Sequence, residues 1–393
     1  MNLGDVNHDF RSLRGQSAVV GTGLVSAVEG GQGRTEVELA ALASIRALAD
    51  ANIPLREVDG FFGASAAQNF PVAMIEYLGI SPQIIDGTNI GGSSFEAHCL
   101  TAAMALHAGV CNVALICYGS TQRSNPAMDL GGRTGAPNPY DEPYNPRHPI
   151  SDYAMVAKRH MHEFGSTREQ FAEVALSARV WAGLNPLAAK RDPSSVEEIL
   201  SASMICDPLT VRDCCLVTDG AGALVMVRAG DVARSPRPPI YMLGAGVGMS
   251  HWNIAQMPNL TTTVAKESSA RAYAMAGLTA GDINIAQVYD AFTISVVLAM
   301  EDLGFCAKGE GGAFVASGAI KPGGSLPINT NGGGLSCMHP GMYGMFLIIE
   351  AVEQLRGSAG ARQVKNAETA LCHGNGGFFS AQATTLWGVA DTL

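Results

Sequence analysis

Three short stretches in the second half of the chain carry the side chains best suited to moving protons at a carbonyl compound. The first is Val288-Tyr289-Asp290-Ala291-Phe292-Thr293. The second runs from Thr330-Asn331 through Gly332-Gly333-Gly334 to His339-Pro340 and Tyr343. The third is Cys372-His373-Gly374-Asn375-Gly376-Gly377. A histidine beside a glycine-rich turn can donate to a carbonyl oxygen as negative charge builds on it. The glycines let main-chain N–H groups approach that oxygen closely. Tyrosine can give or take a proton if its neighbours shift a phenol pKa ordinarily near ~10. Tyr289, His339, Tyr343 and His373 are therefore the candidate catalytic residues, with Cys372 the other reading of the third stretch. Asp290 reads instead as a cap for the helix that follows it.

These stretches need elements to hold them. Strands are predicted at 17–21, 58–63, 83–86 and 112–118, and helices at 35–51 and 70–78, the first with Leu39, Leu42, Ile45 and Leu48 on one face. The turn Asn89-Ile90-Gly91-Gly92-Ser93-Ser94 opens a helix to about residue 107. From 120 to 151 the periodicity stops, in a stretch with six prolines that reads as a functional loop. Helical spacing returns at 152–164 and 167–182, a strand follows at 219–227, and 233–239 reads as a linker. The second half repeats the outline, with strands at 240–246 and 286–290, helices at 268–276 and to about 303, and Gly332-Gly333-Gly334 opening the next helix as Gly91-Gly92 does. The division expected is an N-terminal half, 1–235, with a loop region at about 120–205, and a C-terminal half, 236–393. All three polar stretches then fall at strand ends or helix starts, where open α/β sheets bind ligands.

Composition narrows the function. Apolar residues are 47% and charged residues 15%, as in ordinary globular proteins. Net charge is −10 without a basic cluster, which argues against a nucleic-acid groove. The nine cysteines include no CxxC pair, so no metal site is expected. Residues 1–14 lack a signal-peptide core, and no apolar run reaches membrane-spanning length, so the expectation is a cytoplasmic protein with no membrane contact. Gly21-Thr22-Gly23-Leu24-Val25-Ser26 nearly matches a dinucleotide-binding turn, but serine replaces the third glycine and no helix opens there.

The order YDAF, then NGGG…HPGMYG, then HGNGG resembles the thiolase superfamily. Residues 153–161 and Asp207-Pro208-Leu209 with Asp213-Cys214-Cys215 resemble its sterol-carrier-protein thiolase branch, and the likeness runs from about 17 to 387. It implies an α/β thiolase fold: two duplicated βαβαβαββ halves in a five-layer αβαβα arrangement, with an inserted loop region. It also implies acyl-CoA thioester substrates and at least a homodimer. Coenzyme A would enter as part of the substrate, with no other cofactor, and Gly92, Ser93, Gly374 and Gly376 would lie along it.

Two departures redirect the chemistry. Thiolases place a nucleophilic cysteine at the helix start that is here Ile90-Gly91-Gly92-Ser93, and Cys99 lies about two turns further on. Tyr289 stands where thiolases have Asn or His, and Tyr343 follows the His-Pro pair. Two tyrosines beside a retained histidine resemble the thiolase-like aldolases of bacterial steroid side-chain breakdown. That resemblance implies retro-aldol cleavage of a β-hydroxyacyl-CoA through a thioester enolate, and a small OB-fold, zinc-ribbon partner chain. Two alternatives stand beside it. One is a thiolase or acyltransferase with its nucleophile moved to Cys372 or Ser93. The other is a non-catalytic acyl-CoA-binding scaffold.

Overall fold

The computed structural model describes residues 10–67, 69–125 and 142–393. Its first half runs β1 (Ser17–Val25), α1 (Glu36–Ala51), β2 (Gly60–Gly63), α2 (Phe70–Leu78), β3 (Ile84–Asp86), α3 (Ser94–His107) and β4 (Val113–Ser120). Of the loop expected at 120–151, residues 126–141 lie outside the described residues. Then come α4 (Ile150–Phe164), α5 (Arg168–Gly183), α6 (Val196–Leu200), the small hairpin β5 (Met204–Cys206) and β6 (Leu209–Thr210), and β7 (Gly220–Arg228). The remainder is β8 (Ile240–Met249), α7 (Ala265–Ala276), β9 (Ile285–Val288), α8 (Thr293–Asp302), α9 (Gly311–Ala316), α10 (Gly344–Leu355), β10 (Thr369–Gly376) and β11 (Ala381–Gly388).

The main strands form one nine-stranded sheet in the order β3-β2-β4-β7-β1-β8-β11-β10-β9. It has an internal repeat. From β1 outward the neighbours are antiparallel β7, antiparallel β4, parallel β2 and parallel β3. From β8 outward they are antiparallel β11, antiparallel β10 and parallel β9, then a parallel bridge from Ala286 to Ile328. Only Ala18–Tyr241 and Val19–Ile240 join the two runs.

The helices complete five layers. α3 and α10 lie in the middle, each touching strands of both runs, while α1 packs outside the first run and α7 outside the second. Every residue of α10 except Glu353 is buried, as a helix between two sheet faces requires. Close approach explains the glycine pairs inside β1 and β8. A β-carbon at Gly21 or Gly23 would stand 2.1 or 2.0 Å from a carbonyl oxygen of α1. Gly244 and Gly246 meet α7 in the same way, at 2.1 Å each. The Gly21-Thr22-Gly23 pattern thus serves helix-on-strand packing.

One expectation is corrected. Gly91–Ser93 is a 3₁₀ turn leading straight into α3, but Gly332-Gly333-Gly334 does not open α10. Residues Gly333–Cys337 form a single π-helical turn, and α10 begins only at Gly344, beyond Pro340. Among the described residues no helix is long and apolar enough to cross a membrane. No group of three or more His, Cys, Asp or Glu among them could hold a metal ion.

Candidate active site

The end of β9, the start of α3, the turn before α10 and the end of β10 meet at one point in the middle of the molecule. Tyr289 follows β9 and is 6% exposed. Its hydroxyl lies 2.9 Å from Nε2 of His339. Tyr343, fully buried, stacks on His339 with ring centroids 6.0 Å apart and meets Tyr289 edge-on at 6.1 Å. The structure thus brings together three of the four residues singled out for proton transfer.

Burial sets their charge state. It lowers the His339 imidazole to about 4 and raises both phenols well above their ordinary value. All three are uncharged at neutral pH, and the Tyr289 hydroxyl donates to His339 Nε2 in the tautomer that carries its proton on Nδ1. The Tyr289–His339 hydrogen bond can carry a proton between these two, while the Tyr343 hydroxyl is held by Asn331.

The turn carrying His339 is held from several sides. The His339 amide donates to Thr218 Oγ1 at 3.1 Å, and the Thr218 amide donates to the His339 carbonyl at 3.2 Å. Tyr118 donates its hydroxyl to the Pro340 carbonyl and accepts from the Met342 amide at 3.0 Å. Tyr343 donates to Asn331 Oδ1 at 3.1 Å, and that oxygen also takes the Gly333 amide at 2.8 Å. None of Thr218, Tyr118 and Asn331 was foreseen. Asn331 lies within the glycine stretch and could have been suspected, but Tyr118 is 222 positions from its partner.

Asp290 does not cap the helix after it, because Phe292 occupies that place. Its carboxyl accepts from the amides of Gly334 at 2.7 Å and Leu335 at 3.2 Å, anchoring the π-helical turn. Burial raises this carboxyl to about 7, partly offset by those amides.

The four glycine-cluster residues converge. A β-carbon at Gly376 would stand 1.7 Å from the Ile90 carbonyl oxygen, and one at Gly374 would stand 2.7 Å from Ser93 Cα. A β-carbon at Gly92 would stand 2.0 Å from Tyr289 Cε2. The main chain of the α3 start and of the β10 end can touch only because these side chains are missing. Ser93 donates its hydroxyl to the Ile90 carbonyl at 3.0 Å.

His373 lies apart from the trio. Nδ1 is 2.9 Å from Thr384 Oγ1 and Nε2 is 2.8 Å from Gln382 Oε1, so both ring nitrogens are engaged. Its main chain still meets the trio, since its carbonyl accepts the Tyr289 amide at 3.0 Å, and the two residues line a crevice of about 10 Å³. Cys372 and Cys99 are fully buried, and burial pushes both thiols well above their ordinary range, the reverse of an activated nucleophile. Glu96, in the first turn of α3, is fully buried with neither carboxyl oxygen bonded, and burial raises it to about 8.

Behind the π-helical turn is a cavity of about 230 Å³ lined by Arg179, Lys190, Arg212, Cys214, Leu335 and Ser336 among others. Arg179 Nε donates to Ser336 Oγ at 3.1 Å, tying this cationic pocket to the turn.

Residues 246–389 match the family model described as thiolase C-terminal domain-like. A 17-hydroxy-3-oxo-4-pregnene-20-carboxyl-CoA lyase of Mycobacterium tuberculosis is 34% identical over 88% of this chain and 93% of its own. The chain belongs to the thiolase superfamily. Its superfamily relatives differ in named activity. An acetyl-CoA acetyltransferase of Methanothermobacter thermautotrophicus is 32% identical over 85% of this chain and 90% of its own. The solved Ltp2-ChsH2(DUF35) aldolase superposes with a TM-score of 0.87 at 31% identity, covering 96% of this chain and 98% of that one. Superfamily membership therefore fixes the fold and leaves the chemistry to the residues at the site.

Proposed function

We propose that this chain is a lyase that cleaves the Cα–Cβ bond of a β-hydroxyacyl-CoA of the steroid side-chain type by a retro-aldol reaction. The products are a ketone or aldehyde and a shortened acyl-CoA. The observation that carries this reading is the Tyr289 ring. It fills the space of a side chain at Gly92, in the turn where a thiolase nucleophile would stand, and its hydroxyl bonds His339.

In this reading Tyr289 takes the proton of the β-hydroxyl as it gives its own to His339 Nε2. The Cα–Cβ bond breaks, and its electron pair becomes the thioester enolate. Main-chain N–H groups at Gly92, Ser93, Gly374 and Gly376 are the donors proposed for the enolate oxygen. Tyr343 protonates Cα and recovers a proton from the imidazolium as the products leave. The proton lost from oxygen is replaced at carbon, so the cycle needs no net proton and suits an uncharged, buried site. His373 enters as a positioning residue for the end of β10. The named activities of the lyase and aldolase relatives agree with this chemistry.

The cationic pocket of Arg179, Lys190 and Arg212 is proposed to hold the phosphates of the CoA moiety. A small OB-fold, zinc-ribbon partner is proposed by analogy with the paired chains named for the aldolase structure. A homodimer and a cytoplasmic location are likewise proposed. β3 ends the sheet as an open edge, and Val72, Tyr77 and Ile85 are exposed beside it. The test is Tyr289→Phe and Tyr343→Phe, assayed with the partner. Each should lose roughly 10²- to 10⁴-fold in kcat, the usual range for a general acid or base. Unchanged cleavage by both variants would overturn the mechanism.

A further inference from the structure

His373 and Asn375 belong to one buried network of side-chain hydrogen bonds, and donor chemistry fixes the direction of each bond. The direction is set at Gln382. Its amide nitrogen lies 3.3 Å from the Phe379 carbonyl, which can only accept, and 2.9 Å from Asn375 Oδ1. Gln382 Oε1 therefore faces His373, 2.8 Å from Nε2, and that ring nitrogen must carry the hydrogen. Burial lowers the imidazole to about 4, so it is uncharged, and its bare Nδ1 takes the Thr384 hydroxyl at 2.9 Å. On the other side Asn375 Nδ2 donates to the Tyr153 hydroxyl at 2.8 Å, and Tyr153 donates to the Gly377 carbonyl at 3.3 Å. Thr384, His373, Gln382, Asn375 and Tyr153 thus all donate the same way, and each is at most 5% exposed. Bonds aligned head to tail polarise one another. Reversing one member would set donor against donor or acceptor against acceptor, with no water to relieve it.

The network bears on the main chain around Tyr289. The His373 carbonyl accepts the Tyr289 amide at 3.0 Å. The Asn375 carbonyl oxygen lies 2.6 Å from the β-carbon position at Gly92, which Tyr289 Cε2 approaches to 2.0 Å. His373, Asn375, Gln382 and Tyr289 also line the same crevice. The two β10 residues that back Tyr289 are therefore the two whose side chains the network holds. At its far end Tyr153 belongs to α4, with its ring between Phe292 at 4.3 Å and Phe379 at 4.5 Å. One series of bonds thus joins β11, β10 and α4 beside Tyr289.

We propose that His373, Gln382, Asn375 and Tyr153 are positioning residues for Tyr289. Their one-way network fixes the β10 end against which Tyr289 and Gly92 are set, and His373 keeps its hydrogen on Nε2 throughout the reaction. The proposal rests on the lyase reading for what Tyr289 does. The direction of the network does not depend on that reading.

The test reads hydrogen position and turnover separately. In protein carrying ¹⁵N-labelled histidine, NMR at neutral pH should show the His373 ring, assigned by its loss in His373→Gln, with hydrogen on Nε2 alone. Gln382→Glu sets an acceptor-only carboxylate beside that ring, so both ring nitrogens should then carry hydrogen. Turnover is assayed with the partner present. The amide introduced by His373→Gln can accept from Thr384 and donate to Gln382 as the imidazole does, so kcat should stay within about threefold of the parent. His373→Leu and Gln382→Glu should each lose at least about tenfold in kcat, with KM within about twofold, because Tyr289 is misplaced while substrate contacts remain. Hydrogen on Nδ1 in the parent would overturn the network. A kcat in His373→Gln as low as in His373→Leu would make His373 an acid or base, and an unchanged kcat in His373→Leu would leave it no role; either result overturns the proposal. A parent with hydrogen on Nε2 that cleaves no β-hydroxyacyl-CoA would remove the lyase reading alone and leave the network standing.

Discussion

Gly92 and Tyr289 are complementary: a β-carbon on the first would lie 2.0 Å from Cε2 of the second. The missing side chain and the added ring are one feature. Gly92→Ala should push the Tyr289 ring aside and cut activity by roughly 10²-fold, the usual cost of a misplacement near 1 Å. It should also lower the melting temperature. In a Tyr289→Ala background the same Gly92→Ala change should cost less stability, since only the Asn375 carbonyl oxygen, 2.6 Å from that β-carbon, still opposes it, so a double-mutant cycle should show coupling. Additive losses in that cycle would mean that the two residues do not share the space.

Asp290 gives the site a pH response. Its carboxyl, raised to about 7, holds the Gly334 and Leu335 amides as an acceptor, and protonation removes part of that capacity. His339, lowered to about 4, and the two phenols, raised well above 10, do not titrate between pH 5 and 9. The rate should therefore rise through about pH 7 to a plateau. Asp290→Asn, with one acceptor oxygen in place of two, should remove that step and stay near the low plateau. A step at the same pH in the variant would assign it elsewhere.

Glu96 predicts a stability effect of definite sign. Its folded pKa, about 8, lies above its ordinary value of 4.5, so the folded state keeps a proton that the unfolded state loses. Stability from this group is fully present below about pH 4.5 and is lost as pH rises through about 8. Glu96→Gln removes the titration. Melting temperatures measured from pH 5 to 8.5 should fall less steeply with rising pH in the variant than in the parent, and parallel curves would contradict the assignment.

The cationic pocket predicts a kinetic split. Arg212→Ala should raise KM about tenfold and leave kcat nearly unchanged, because phosphate contacts are the same in the ground and transition states. The rise should shrink at high salt. A loss confined to kcat would place Arg212 in another role.

Much of this site could be read from residue types in order. Tyr289, His339 and Tyr343 stand at a strand end and beside a glycine turn, and the alternation of strands and helices was enough to bring those places to one side of a sheet. What stayed hidden depended on contacts between distant segments. The Gly333–Cys337 turn is shaped by the Asp290 carboxyl, which no local propensity records. Tyr118 and Thr218 act through main-chain bonds to a turn more than a hundred residues away. His373 looked like a partner of the other three, but Gln382 and Thr384 across the β10–β11 hairpin take both its nitrogens. The Gly21-Thr22-Gly23 pattern shows the converse, since its local signal points to phosphate binding and its contacts are with α1.

The central claim is that carbon–carbon cleavage here needs no covalent nucleophile. The most direct measurement incubates the protein and its partner with a β-hydroxyacyl-CoA and, in parallel, with the matching β-ketoacyl-CoA plus CoA. Products and intact protein mass are followed together. The account predicts a ketone or aldehyde and a shortened acyl-CoA from the hydroxy substrate alone, with the protein mass unchanged throughout. Cleavage of the keto substrate with an acyl group retained on the protein would contradict it.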